Sequence, residues 1–238
     1  MKRLLVNYGS TLGGVMNIGL IEQQINQIQL QASEQNQLVS VEHIPEDFRV
    51  VGIGTDAVVV RDHSFPQYVW KVFAPQKVEK KSLEYKVYQR LGSSPFFATC
   101  YAQGENYLCL SYEEGPTLYQ CLEEGIVIPR QVIIDVDEAR RYARSRGLNP
   151  RDIHLKNVLL QNGRAKLIDV SEYLNPGNDY RWDYLVQGYE QFYSLIRGKK
   201  IPTWMIELVK NAYYHQVSDQ FSVVDFCQRF VQLLGLNK

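Results

Sequence analysis

Two spacings of apolar residues divide this chain. Between residues 48 and 113 they come in short runs: Val58-Val59-Val60, Val69-Trp70-Lys71-Val72-Phe73 and Tyr107-Leu108-Cys109-Leu110. Runs of that length, rich in β-branched and aromatic side chains, predict strands of a small, mostly antiparallel sheet. A single helical stretch, Lys80–Leu91, interrupts them. From residue 114 to 238 the spacing is mainly helical, with helices expected over Pro129–Gly147, Pro202–His215 and Phe221–Leu234. Another opens near Trp182, with Tyr184, Leu185, Gly188, Tyr189, Phe192, Tyr193 and Ile196 on its apolar positions. One hairpin breaks the helical half. Val158-Leu159-Leu160 and Ala165-Lys166-Leu167-Ile168 flank Gln161-Asn162-Gly163-Arg164, and Asn-Gly is the strongest short hairpin signal.

Residues 1–47 form an N-terminal extension ahead of this pattern. Within them Ile18, Ile21, Ile25 and Ile28 fall at 3-4-3 spacing in a glutamine-rich stretch, which predicts an amphipathic helix within residues 17–38. Two heptads are too few for a free coiled coil. Such a helix either lies against the small sheet or takes a partner, including a second copy of the chain.

Composition narrows the function classes. Hydrophobic residues make up 45% and charged residues 22% of 238, ordinary for a globular chain of one domain or two apposed lobes. Lys+Arg and Asp+Glu are 26 each, so there is no overall electrostatic case for nucleic acid or an anionic membrane. No apolar run reaches the length of a membrane span, and Met-Lys-Arg-Leu-Leu-Val gives way to polar residues before a signal-peptide core can form. Cys100, Cys109, Cys121 and Cys227 show no CxxC pairing and no metal spacing with histidine, which fits a reducing cytoplasm.

The chemistry concentrates in Arg151-Asp152-Ile153-His154-Leu155-Lys156-Asn157 and in Asp169, which closes the second hairpin strand. A carboxylate that orients an incoming nucleophile, with two oxygen ligands for Mg²⁺, is what phosphoryl transfer asks of a protein. The hairpin places Asn157 and Asp169 at the outer ends of adjacent strands, where they can share a metal.

With the segments before it, this set resembles the protein kinase-like superfamily over about residues 48–195. Gly52-Ile53-Gly54-Thr55-Asp56-Ala57-Val58-Val59 is similar to its glycine-rich phosphate loop, and Val69-Trp70-Lys71-Val72-Phe73 to its V-A-I-K strand. Lysine inside an apolar strand needs a partner. The helix Lys80–Leu91 offers Glu84, the residue the pattern favours, with Glu79 the alternative. Tyr107 to Leu118 looks like the last small-lobe strand and the hinge. The resemblance implies an α+β, bilobal protein kinase-like fold: a small antiparallel-sheet N-lobe with one helix (48–113) and a reduced, mainly helical C-lobe (114–238). It implies ATP and Mg²⁺ as cofactors. Gly52, Gly54, Ala57, Val59, Lys71, Leu110 and Tyr112 would bind the nucleotide, Asn157 and Asp169 the metal, and Asp152, Lys71, Glu84 and His154 would serve catalysis.

Departures from the family pattern matter too. Pro150-Arg151-Asp152 stands where His-Arg-Asp is usual, Asp169-Val170-Ser171 where Asp-Phe-Gly is usual, and His154 where eukaryotic protein kinases carry lysine. The His154 segment shares features with aminoglycoside and choline phosphotransferases, and Ile168 to Glu172 with RIO kinases. His154 either steadies Asp152 or reaches the γ-phosphate, with a charge that varies near neutral pH, or it fills a polar gap. Asp183 either anchors the catalytic loop or is a first-turn acid. Only about ten residues separate Ser171 from the Trp182 helix, none of them threonine, so a phosphate-switched activation segment is not expected and site order should be built in. The favoured activity is a minimal serine/threonine protein kinase acting on a phosphoacceptor protein. Alternatives are a small-molecule phosphotransferase, a RIO-like ATPase, or a pseudokinase that binds nucleotide or a partner.

Overall fold

The computed structural model describes residues 18–35 and 37–215. The expected helix Phe221–Leu234 and Cys227 lie outside them. Helix α1 spans Ile18–Ile25, and the chain then turns into a hairpin of β1 (Gln29–Gln31) and β2 (Ser40–His43). The helix predicted within 17–38 is therefore cut short. Of the three β1 residues only Leu30 is buried, and the period-two pattern of a strand replaces the helical one there. Ile21, Ile25 and Ile28 are buried with Val58, Val60, Trp70 and Val72, so the isoleucine face is spent on the small lobe. Tyr107 Oη donates to Glu22 at 2.9 Å across the same contact.

The small lobe continues with β3 (Phe48–Ile53), β4 (Ala57–Asp62), β5 (Tyr68–Phe73), α2 (Val78–Leu91), β6 (Cys100–Gln103) and β7 (Tyr107–Ser111). Its five strands form one antiparallel sheet in the order β3-β4-β5-β7-β6. Val58, Val60, Trp70 and Val72 point to the face covered by α1. Ala57, Val69, Phe73, Leu108 and Leu110 point to the other, where α2 contributes Val87, Tyr88 and Leu91. Both faces are covered, which is why the strands read as unbroken apolar runs without polar alternation.

The larger lobe holds α3 (Leu118–Glu124), α4 (Arg130–Ser145), the hairpin β8 (Val158–Gln161) with β9 (Arg164–Leu167), α5 (Arg181–Ile196) and α6 (Thr203–His215). Thr117 and Gln120 start α3 with a reciprocal capping box. Asn162 and Gly163 take φ of 49° and 79°, the turn their sequence predicts. Gly115, at φ 139°, has no room for a side chain: a Cβ there would sit 2.4 Å from the Leu160 carbonyl oxygen. That close approach pins the link between the lobes onto β8. No helix among the described residues is long and apolar enough to cross a membrane.

One buried acid locks the hairpin in place. Asp135 on α4 is 1% exposed and accepts from Arg164 Nε (2.8 Å), Arg164 Nη2 (2.7 Å), the Ala165 N–H (2.9 Å) and Gln131 Nε2 (2.8 Å). Burial pushes its carboxyl up, but these donors outweigh burial and hold it below the usual carboxylate range. Asp135→Ala should lower stability by about 2–3 kcal/mol, read from the urea midpoint. The folded state keeps Asp135 ionised, so this contribution is present above the normal carboxylate pKa and fades as pH falls through the lowered one.

Candidate active site

A cleft of about 1360 Å³ runs between the lobes and is lined by the glycine-rich hairpin, Lys71, Leu110, Asp152, Asn157 and Asp169. Gly52 is on β3, and Gly54 opens the turn to β4, where its N–H donates to the Ala57 carbonyl at 2.9 Å. Neither needs to be glycine for the fold. Neither takes a positive φ, and an added Cβ would meet its nearest neighbour at 3.8 Å (Gly52) or 3.5 Å (Gly54), ordinary contact distances. Small residues there leave space on the cleft side, where a phosphate chain can approach the backbone. The hairpin tip is tethered. Val39 N–H donates to the Gly54 carbonyl at 2.9 Å, and Asp56 pairs with Lys80 at 2.7 Å on α2.

Lys71 joins the lobes. From β5 its ammonium contacts Glu84 of α2 at 2.7 and 2.8 Å and Asp169 at 3.5 Å. Glu84, not Glu79, is thus the partner. It is fully buried. Burial would lower the Lys71 pKa, but Asp169 and Glu84 outweigh it and keep the ammonium charged well above its ordinary range. Burial pushes Glu84 up against the opposing pull of Lys71. Burial also raises Asp169, but Lys71 and the Ser171 N–H (3.0 Å) hold it below the usual range.

Across the cleft, Asp152 has φ 56°, a left-handed conformation that aspartate tolerates better than most residues. Its N–H donates to Asp179 Oδ2 at 2.7 Å. Its carbonyl accepts from Asn157 Nδ2 at 3.1 Å, which commits the amide nitrogen to this bond. The Ile168 N–H donates to the Asn157 carbonyl at 3.1 Å, extending the hairpin register so that Asn157 and Asp169 come together. Burial pushes the Asp152 carboxyl up to about 6, opposed by Arg181 and reinforced by Asp169, Asp179 and Glu172.

Several expectations change here. Asp183 does not reach the catalytic loop: Arg140 of α4 donates to it at 2.9 and 3.2 Å, and Asp179 takes the anchoring place. The His154 ring does not change charge near neutral pH. Burial, helped by Arg181, lowers it to about 4, and its Nδ1 accepts from the Lys156 N–H at 3.2 Å. Its Nε2 is 3.9 Å from Asp152 Oδ1. Tyr112 lines the cleft; its N–H donates to the Gln67 carbonyl at 2.9 Å and the Arg61 guanidinium stacks 3.7 Å from its ring centre. Sequence reasoning also missed Asp179 and Arg181. Arg181 Nη1 forms an ion pair with Asp152; Asp179 comes from an irregular stretch and Arg181 is the first residue of α5 just after it, positions where apolar spacing carries no signal.

That stretch is tied down. Asn149 Nδ2 donates to the carbonyls of Asn175 (2.7 Å) and Gly177 (2.6 Å), the Asn149 N–H donates to the Tyr173 carbonyl (2.8 Å), and Arg151 donates to the Pro176 carbonyl. Tyr173, 1% exposed, packs edge-on against Phe97.

No protein-family model matches the chain. A Bacillus subtilis (strain 168) protein described as "Putative serine/threonine-protein kinase YrzF" is 33% identical over 171 residues, covering 71% of this chain and 80% of that protein. The chain belongs to the protein kinase-like superfamily. The crystal structure of the Mycobacterium tuberculosis PknI kinase domain, in a cysteine-to-alanine mutant, aligns at 20% identity with a TM-score of 0.45, covering 65% of this chain and 75% of that one. The assignment rests on the Bacillus relative. The α+β, bilobal protein kinase-like architecture then reads directly: a small antiparallel-sheet lobe over a mainly helical one. Within this kinase-like site Asp179 holds Asp152 by its backbone. Asp179→Ala should lower kcat for phosphoryl transfer about 100-fold with ATP affinity little changed, because the loop carboxylate loses its aim. Steady-state rates beside nucleotide titrations check it.

Proposed function

We propose that this chain transfers the γ-phosphoryl group of Mg·ATP to a serine or threonine hydroxyl of a protein. The observation that carries the reading is the Lys71 ammonium held between Glu84 and Asp169, opposite Asp152, which draws both lobes onto one cleft. The acceptor class follows the description of the Bacillus relative.

The residues present fit a magnesium nucleotide. No group of three or more His, Cys, Asp or Glu side chains that could hold a metal occurs among the described residues. Mg²⁺ in such sites takes one or two protein oxygens and completes its shell with phosphate and water. Asn157 Oδ1 and the ionised Asp169 carboxylate are such a pair, and the glycines leave open the space a phosphate chain needs. When bound, Mg²⁺ neutralises charge on the phosphate oxygens.

The protein groups then have distinct tasks. Lys71 holds the α- and β-phosphate oxygens, kept extended by Glu84. Gly52 and Gly54 lie over the phosphates. Ala57, Val59 and Leu110 enclose the adenine, and backbone groups of Ser111 and Glu113 face its edge. Asp152 orients the acceptor hydroxyl and takes its proton as the new P–O bond forms. The bond to the leaving ADP oxygen breaks at the same centre. His154, being neutral, steadies Asp152 and brings no charge.

A small-molecule acceptor is the second reading, and one observation favours it. Glu172 and Asp179 join Asp152 and Asp169 in lining the cleft, an acidic grouping that a cationic acceptor would fit.

γ-Labelled Mg·ATP separates these readings. Label should move to a generic protein acceptor with wild type and not with Asp152→Ala. Label on small cationic acceptors alone would select the second reading, and label retained on Asp169 or released as phosphate would select a RIO-like ATPase. No movement despite nucleotide binding would mark a pseudokinase. Only ionised Asp152 can take the proton, so kcat/KM should fall about tenfold per pH unit below about 6 and level off above it. A rate still falling with pH well above that value would assign the limb to another group.

A further inference from the structure

Charge on the transferred phosphoryl group needs a cation close to Asp152. Position 154 supplies none, because the His154 Nδ1 lone pair accepts the Lys156 N–H at 3.2 Å and the ring is therefore not an imidazolium. The other cations near the loop are engaged elsewhere. The Lys156 ammonium lies 4.3 Å from the Tyr119 ring centre and 3.7 Å from Glu207. Arg151 donates to the Pro176 carbonyl, and Lys71 is held by Glu84 and Asp169. Arg181 alone among these has its guanidinium on the Asp152 carboxylate. It is the first residue of α5, its N–H donates to Asp179 Oδ1 at 3.2 Å, and its Nε is 3.8 Å from Asp179 Oδ2. The same Asp179 receives the Asp152 N–H, so one carboxylate sets both residues relative to each other. The Arg181 side chain is 26% exposed and lines the cleft.

We propose that Arg181 is a catalytic residue that meets the oxygens of the transferred phosphoryl group and, in turning to them, frees Asp152 for the acceptor hydroxyl. This rests on the phosphoryl-transfer reading above. A guanidinium suits the task because its planar fork can face a carboxylate and a phosphate from different edges.

The test uses the full chain as Arg181→Ala, Arg181→Lys and the double variant Arg181→Ala/His154→Lys. Two quantities are read: phosphoryl transfer at saturating Mg·ATP, and affinity for Mg·ADP with and without tetrafluoroaluminate, a mimic of the phosphoryl group in flight. Arg181→Ala should lower kcat about 100-fold, leave Mg·ADP affinity unchanged and lose most of the tightening that tetrafluoroaluminate gives wild type. Arg181→Lys should fall between, and a lysine at 154 should restore about tenfold of the lost rate, since it returns a cation to the neighbouring position. Arg181→Ala that turns over as fast as wild type or faster overturns the proposal, showing the ion pair to be idle or a block. Equal weakening of Mg·ADP with and without the mimic overturns it as well, showing a structural role. A wild type that binds no nucleotide overturns the phosphoryl-transfer reading and this inference together. Wild-type turnover beside an unaffected Arg181→Ala overturns this inference alone.

Discussion

A lysine in the middle of an apolar strand is the constraint around which this molecule is organised. Lys71 stands in β5 between Trp70 and Val72, both buried, and no other position of that strand is charged. An unpaired ammonium there would be strongly destabilising, and removing either member of a buried pair costs about 3–5 kcal/mol. Glu84 satisfies it from α2, which fixes the helix against the sheet, and Asp169 approaches from the larger lobe. The pair contributes little net stability as an isolated interaction. Its effect is geometric: one cation holds α2 against the sheet through Glu84 and reaches Asp169 of the larger lobe across the cleft.

The supports around that cleft are backbone devices more than side-chain contacts. Asp135 holds the hairpin that presents Asn157 and Asp169, Asp179 holds the loop that presents Asp152, and Val39 braces the glycine-rich turn. In each case a buried or half-buried group satisfies a main-chain N–H or carbonyl. Such bonds specify position sharply because leaving one unmade is costly.

Much of this was legible in the chain. Short apolar runs marked both lobes' strands, Asn162-Gly163 marked its turn, and the buried lysine called for an acid one helix away. What was not legible has common physical causes. The helix predicted through residue 38 stops at Ile25 because Leu30 is buried by strand pairing, which the isoleucine spacing does not register. Asp179 lies in irregular chain and Arg181 opens α5 directly after it, so no apolar periodicity reports which way either side chain points. His154 was expected either to titrate near neutrality or to fill a polar gap. Its actual state depends on burial and on the Arg181 charge, and both are set by tertiary contacts. Asp183 resembled an anchor by its place at the start of a helix, yet Arg140 claims it.

Under the proposed phosphoryl-transfer reading, the stretch between Tyr173 and Gly177, bonded to Asn149 and Arg151, also bears on who meets the ordering cost when the two substrates meet. In an enzyme whose acceptor platform is loose, part of the entropy lost on encounter is the enzyme's own. Under that reading a surface built on this stretch would already be fixed, so more of the loss would fall on the acceptor. A target segment that is extended and mobile before it arrives would meet its own ordering cost in full, while a preformed surface would add none of the enzyme's. Discrimination at such a surface would fall on shape in the acceptor, with partners sorted by what they must give up to fit.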